Sequence, residues 1–184
     1  MGDCNVTLSI AGRVMGDDVN ALLELLWCEN FLDPESEDDG PALEAEEGDR
    51  SEVLLKRLRN ARTAQGVLDL YAYDVDGDIP DEILDTLQGM GLSVRWSWTS
   101  DGNFGPGFDV WDVATGKGQR FWTDPDGRIL VPYDKLKDPA TMAHFEHFLD
   151  INRTICRSPL LIGRSAHDLL ADEAAIQRST ADAA

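Results

Sequence analysis

The chain has 184 residues, with 35 acidic against 16 basic side chains, a net charge of −19 and an apolar share of 42%. That is the size of one ordinary domain with enough apolar material for a real core. The charge argues against a basic groove for DNA or RNA, where affinity rests on neutralising phosphates, and favours basic partners instead: metal ions, or a protein surface that normally holds nucleic acid.

Cys4, Cys28 and Cys156 are odd in number and widely spaced, so they form neither a disulfide framework nor a metal-binding pair, and each is read as a small buried hydrophobe. The opening residues lack a basic stretch before their short apolar run, which predicts no signal peptide. No run approaches the length of a membrane span. The expectation is a cytoplasmic protein of a reducing compartment.

In chain order, Val6, Leu8 and Ile10 alternate with Asn5, Thr7 and Ser9, which predicts a half-buried strand ended by Gly12. Gly16-Asp17-Asp18 starts a helix through Trp27. From Glu29 to Asp49 the acids crowd together with no Lys or Arg among them, and Pro34, Gly40, Pro41 and Gly48 break any helix. Residues 29–50 are read as a flexible acidic insertion. Ser51 is the expected cap of the next helix. Its Lys56, Arg57, Arg59 and Arg62 form the basic cluster of the chain, there to neutralise the acidic insertion or to contact a phosphate. Val67–Val75 alternates as a strand, and Asp78 is the expected cap of a helix entered through Pro80.

The stretch Ser93–Tyr133 holds four of the five tryptophans and reads as antiparallel strands joined by tight turns. Val94, Trp96 and Trp98 mark the core face of its first strand. Phe108 and Val110 are expected on that same face, which leaves Trp111 and Trp122 on the opposite one, with too much apolar surface for plain solvent. Asp124-Pro125-Asp126-Gly127 is a type I hairpin turn between strands. Arg128–Tyr133 returns as a strand, and Pro132 puts its end on a sheet edge. Asp138-Pro139 starts a helix, Leu160–Gly163 is ambiguous, and Ser165 starts a last helix through Ile176. The domain expectation is one α+β unit over 1–163, followed by a C-terminal helix and frayed tail over 164–184.

Catalytic signatures do not stand out. Asp74, Asp76 and Asp78 resemble a calcium loop, but the sixth position is Ile79 and the twelfth is Asp85, where glycine and glutamate are needed. His144 and His147 sit three apart on a predicted helix, not the four of a zinc-binding helix, and no third ligand is placed. No nucleotide cradle and no nucleophile elbow is present. Catalytic residues, cofactors and metals are therefore expected to be none.

The order of elements is that of a ferredoxin-like antiparallel sheet with helices on one face, an extra β-hairpin and the acidic insertion. Within it, GDIPDEILDTLQGMGLSVRWSWTSDGNFGPGFDVWD resembles the helix–strand–loop–strand part of the YubB-type ferredoxin-like proteins of plasmids and phages, over about a fifth of the chain. The resemblance implies an accessory protein of a mobile element and brings no assigned active site. The expected function is that of a non-enzymatic acidic protein occupying the basic, nucleic-acid-binding surface of a host defence complex, as anti-CRISPR or anti-restriction inhibitors do. The expected contacts are Glu35, Glu37, Asp38, Asp39, Glu44, Glu46, Glu47, Trp111 and Trp122. No direct nucleic-acid or membrane contact is expected, and a homodimer is an allowed use of the second sheet face. The alternatives are an immunity-type inhibitor of a toxin nuclease and a metal-dependent hydrolase built on His144, His147 and nearby acids.

Overall fold

Alternation sets the central strand. Val6, Leu8 and Ile10 are fully buried, while Thr7 between them is only half-buried, the period of two that one core face produces. The structure is a computed structural model that describes residues 4–29, 31–32, 47–75, 78–99 and 105–182. Its elements are β1 (Cys4–Met15), α1 (Asp17–Cys28), α2 (Glu47–Asn60), β2 (Leu68–Val75), α3 (Asp81–Gly89), β3 (Ser93–Trp98), β4 (Gly107–Asp112), β5 (Lys117–Thr123), β6 (Ile129–Leu130), a single 3-10 turn, α4 (Pro139–Ile155), β7 (Leu160–Gly163) and α5 (Ala166–Asp182). The architecture is α+β, with a seven-stranded, mostly antiparallel sheet in the order β2-β1-β3-β4-β5-β6, and β7 parallel to the far end of β1.

Register decides which side chains share a face. In β3, Val94, Trp96 and Trp98 stand opposite Ile10, Leu8 and Val6 on one side and Trp111, Asp109 and Gly107 on the other. Directly opposed residues point the same way, so Trp111 lies with Trp96. This face forms the main core under α1, α2 and α3, through Leu22, Leu26, Leu54, Leu58, Ile83 and Leu87. Phe108 and Val110 point to the other face. There they meet Phe121 of β5 and the Phe148 and Ile155 side chains of α4. Two expectations are corrected. Helices cover both faces, not one, and Phe108 and Val110 do not share the face of Trp96 and Trp98. The cause is the β3–β4 register, which sets Asp109 rather than Phe108 against Trp96; a shift of one residue exchanges every side chain between faces.

Local differences have local causes. Gly12 does not end β1: the strand runs on to Met15 because β7 arrives as a parallel partner for Gly12–Met15. Ser51 does not cap α2, which already begins at Glu47; its hydroxyl instead donates to Asn20 Oδ1 at 2.8 Å and ties α2 to α1. Asp78 does not cap α3 either, since Pro80 occupies that position and Asp78 pairs with Arg120. The return strand shrinks to Ile129–Leu130, paired with Thr123 and Trp122 at the end of the sheet order. Asp138 caps α4 as expected, accepting from the Ala140 N–H. Most of the acidic insertion, residues 33–46, lies outside the described residues, while Phe31 and Leu32 on its near side are buried in the main core.

The outer edge of β7 is closed by side chains. Arg62 donates to Leu160 O at 2.8 Å and Arg59 to Ile162 O at 3.3 Å, while the Ile162 N–H donates to Asp172 Oδ2 at 2.9 Å. An exposed strand edge is a template for unwanted pairing, and α2 and α5 together remove it here. Helix α5 lies so close that a Cβ on Gly163 would sit 2.7 Å from Leu169 Cα. The helix runs six residues past Ile176, where fraying is expected. Thr180 Oγ1 donates to Ala64 O at 3.2 Å and holds its last turn.

Candidate functional site

The β4–β5 hairpin builds a cluster that sequence patterning alone does not assemble. Asp109 faces the helices beside Trp96 and is buried, a position that demands a partner for its charge. Arg120 stands directly opposite it on β5. It grips the carboxylate with two bonds, Nε to Oδ1 at 2.8 Å and a terminal nitrogen to Oδ2 at 2.6 Å. The same guanidinium reaches Asp78 Oδ1, ahead of α3, at 2.6 Å. The hydrogen bonds Arg120 donates to Asp109, opposed by burial and reinforced by the Asp109 charge and by the bond to Asp78 and its charge, hold Arg120 above its ordinary pKa. It is a permanent cation.

That cation sits among indoles. Its guanidinium carbon lies 4.9 Å from the Trp98 ring centroid and 5.9 Å from that of Trp122. The two indoles meet edge to face at 5.8 Å. Gly107 makes room for them: a Cβ there would stand 2.7 Å from the Trp98 ring and 2.6 Å from the Phe121 carbonyl oxygen. Trp98 is 5% exposed and Trp122 is 42% exposed, so the cluster is anchored at one end and open at the other. Leu130, directly opposite Trp122, is also exposed and continues the open surface.

The expected contact residues separate into three groups. Trp122 is exposed and belongs to this cluster. Trp111 is half-buried and packs on the main core, over Gly118, so it is a structural side chain more than a contact. Both are expected from sequence on the second face, and this is corrected: they stand on the Trp96 face, for the register reason given above. Glu35, Glu37, Asp38, Asp39, Glu44 and Glu46 lie outside the described residues, and Glu47 opens α2. Sequence reasoning missed Arg120, Asp109 and Asp78. No local signal marks them, because the side of β4 that faces the core is set by its register with β3.

On the other face, His147 and His144 lock α4 onto the same hairpin. His147 Nε2 lies 3.5 Å from Asp112 Oδ2, and His144 Nε2 is 3.0 Å from Gln119 Oε1. Both rings also contact Phe148. Burial alone would raise the Asp112 pKa. Bonds from the Thr115 hydroxyl and the Ala114 N–H, together with His147, outweigh it and hold the carboxyl below its ordinary value. Among the described residues no group of three or more potential ligands is placed to hold a metal. Cys28 and Cys156 are free and exposed, against the expectation of burial. Partial burial of the Cys156 sulfur, only partly offset by the Arg95 charge, raises its pKa, the opposite of an activated thiol. No described helix is long and apolar enough to cross a membrane.

Comparison with protein-family models, curated proteins and solved structures finds no match for the chain.

Proposed function

We propose that this is a non-enzymatic acidic binding protein that occupies the basic, nucleic-acid-binding surface of another protein. The observation that carries the proposal is where the arginines go. Arg50 donates to Glu24, Arg57 to Leu32 O, Arg62 to Leu160 O and Asp172, and Arg120 to Asp109 and Asp78. Bases in short supply are spent on the protein's own carbonyls and carboxylates. The outward-facing acids of α1 and α3, including Asp17, Asp18, Asp81, Glu82 and Asp85, keep their charge for a partner. A surface of one sign both steers and selects a partner of the other.

The mobile-element origin and the defence-complex target are part of the same proposal. β2, α3 and β3 form a crossover with β1 antiparallel between its two strands, a split β-α-β unit of the ferredoxin-like kind. That supports the likeness to YubB-type proteins. Trp122 and Leu130 supply an apolar contact beside the charge.

The test is phage plating on cells that carry an active CRISPR or restriction system and express the chain. Plating rises if the protein blocks the effector. It falls back when Asp81, Glu82 and Asp85 are replaced together by their amides, and binding to the purified effector weakens as salt is raised. Unchanged plating with no salt-sensitive complex overturns the proposal.

A further inference from the structure

A second site lies between α2 and α5. A cleft of about 520 Å³ there is lined by Arg59, Arg62 and Arg164, with Glu52, Asp168 and Asp172. The six charges balance formally, but they are not equally committed. Arg62 and Asp172 close on each other with two bonds of 2.7 and 2.8 Å, both side chains almost wholly buried. They cancel.

Arg59 and Arg164 are different. A guanidinium carries five N–H donors. Arg59 spends one on Ile162 O, and its Nε, 3.5 Å from Asp172 Oδ1, is buried with no hydrogen-bond partner among the described residues. That nitrogen is enclosed by the protein and faces Asp172, so the donors Arg59 can offer a ligand are the terminal ones that Ile162 O does not take. Arg164 holds Glu52 and the Ser51 hydroxyl and keeps its remaining donors. Both arginines are 38% exposed, so a ligand can reach them. The remaining acids sit at the rim: the Glu52 side chain is 64% exposed and that of Asp168 48%.

We propose that this cleft binds a phosphomonoester. The phosphoryl oxygens take the uncommitted N–H groups of Arg59 and Arg164, two planar forks suited to a tetrahedral dianion. The organic part lies against the wall of Leu55, Ala171 and Ala175. Glu52 and Asp168 accept from its hydroxyl or amino groups. The volume is that of a small-molecule site, larger than a bare phosphate needs. The net charge of −19 repels anions at long range, so a ligand is held here by paired geometry and not by the general field. This inference does not depend on the partner proposed above; either can fail without the other.

The experiment is calorimetric titration of the full chain at low salt with inorganic phosphate, ribose 5-phosphate and adenosine 5′-monophosphate. Saturable binding of at least one ester is expected, tighter than that of phosphate. Arg59→Gln and Arg164→Gln each weaken it by at least about tenfold, and Arg59→Lys, which keeps the charge but loses the fork, also weakens it. Arg128→Gln, on the β5–β6 turn, leaves it unchanged. Arg164→Gln is the safer variant for folding, being partly exposed, and its thermal transition is checked alongside. No saturable binding of either ester up to about 10 mM overturns the proposal. So does phosphate binding as tight as the esters, or an equal loss in Arg128→Gln.

Discussion

Two arginine–aspartate pairs, one against the edge strand β7 and one across β4 and β5, share the same chemistry with opposite consequences. At β7, Arg62 grips Asp172 with side-chain exposures of 7% and 3%. At β5, Arg120 grips Asp109 with exposures of 40% and 6%. Each is a bidentate pair with a buried carboxylate. The first is sealed on all sides and also satisfies the backbone of an edge strand, so it belongs to the architecture. The second leaves its cation half in water, where it shares an exposed indole and a second acid. Burial of the arginine, not of the aspartate, separates a structural lock from a surface feature.

The sealed pair is where the comparison breaks most sharply. Asp172→Ala leaves Arg62 buried without its counter-charge and removes the acceptor of the Ile162 N–H. Losses of about 3–5 kcal/mol are expected for one partner of a buried pair, to be measured by urea unfolding. Acid reaches the same bond without mutation. Burial alone would raise the Asp172 pKa, but bonds from Arg62 and Ile162 and the charges of Arg62 and Arg59 hold it below the ordinary value. A depressed folded-state pKa means the contribution is complete above the unfolded carboxyl's value of about 4 and is lost as pH falls through the folded value. Unfolding midpoints should therefore drop below pH 4 in the parent chain and far less in Asp172→Ala.

At the open pair the effect should be smaller. Asp109→Ala removes a buried carboxylate, but Arg120 keeps Asp78 and solvent, so about 1–2 kcal/mol is expected in the same unfolding assay. A loss as large as that of Asp172→Ala would mean that exposure of the arginine does not decide the matter.

These pairs show where the sequence is informative. Alternation in β1, β2 and β3, the Asp124–Gly127 turn and the Asp138 cap are local signals, and each is met in the structure at its expected place. What was not legible is what depends on register and on distant partners. Phe108 and Trp111 stand three positions apart, on opposite faces of one strand, and only the pairing of β4 with β3 settles which face is which. Arg62 and Asp172 lie 110 residues apart; one reads as part of a basic helix end and the other as a helix-surface acid, and no spacing rule brings them together. Trp122 is expected on the second face and stands exposed on the first, and nothing in the local pattern QRFWT marks Arg120 as the group that orients it.

Trp122→Ala should have the smallest effect on the fold and the most specific effect on function. The indole is 42% exposed, and its main internal contact is the edge-on meeting with Trp98. Removing it costs about 1 kcal/mol of stability or less on the scale of such aromatic pairs. Trp98 keeps its Nε1 bond to Gly105 O at 3.1 Å, and Arg120 keeps both of its acids. The surrounding geometry therefore survives, and the variant removes little more than an outward-facing ring. If the β5–β6 surface is where a partner docks, an exposed aromatic beside a fixed cation is the kind of residue that carries binding energy, and affinity for the effector should fall more than tenfold while the thermal transition barely moves. Full affinity in Trp122→Ala would place the contact on the acidic helices alone and leave the Arg120 cluster as a second lock, weaker than the first only because water reaches it.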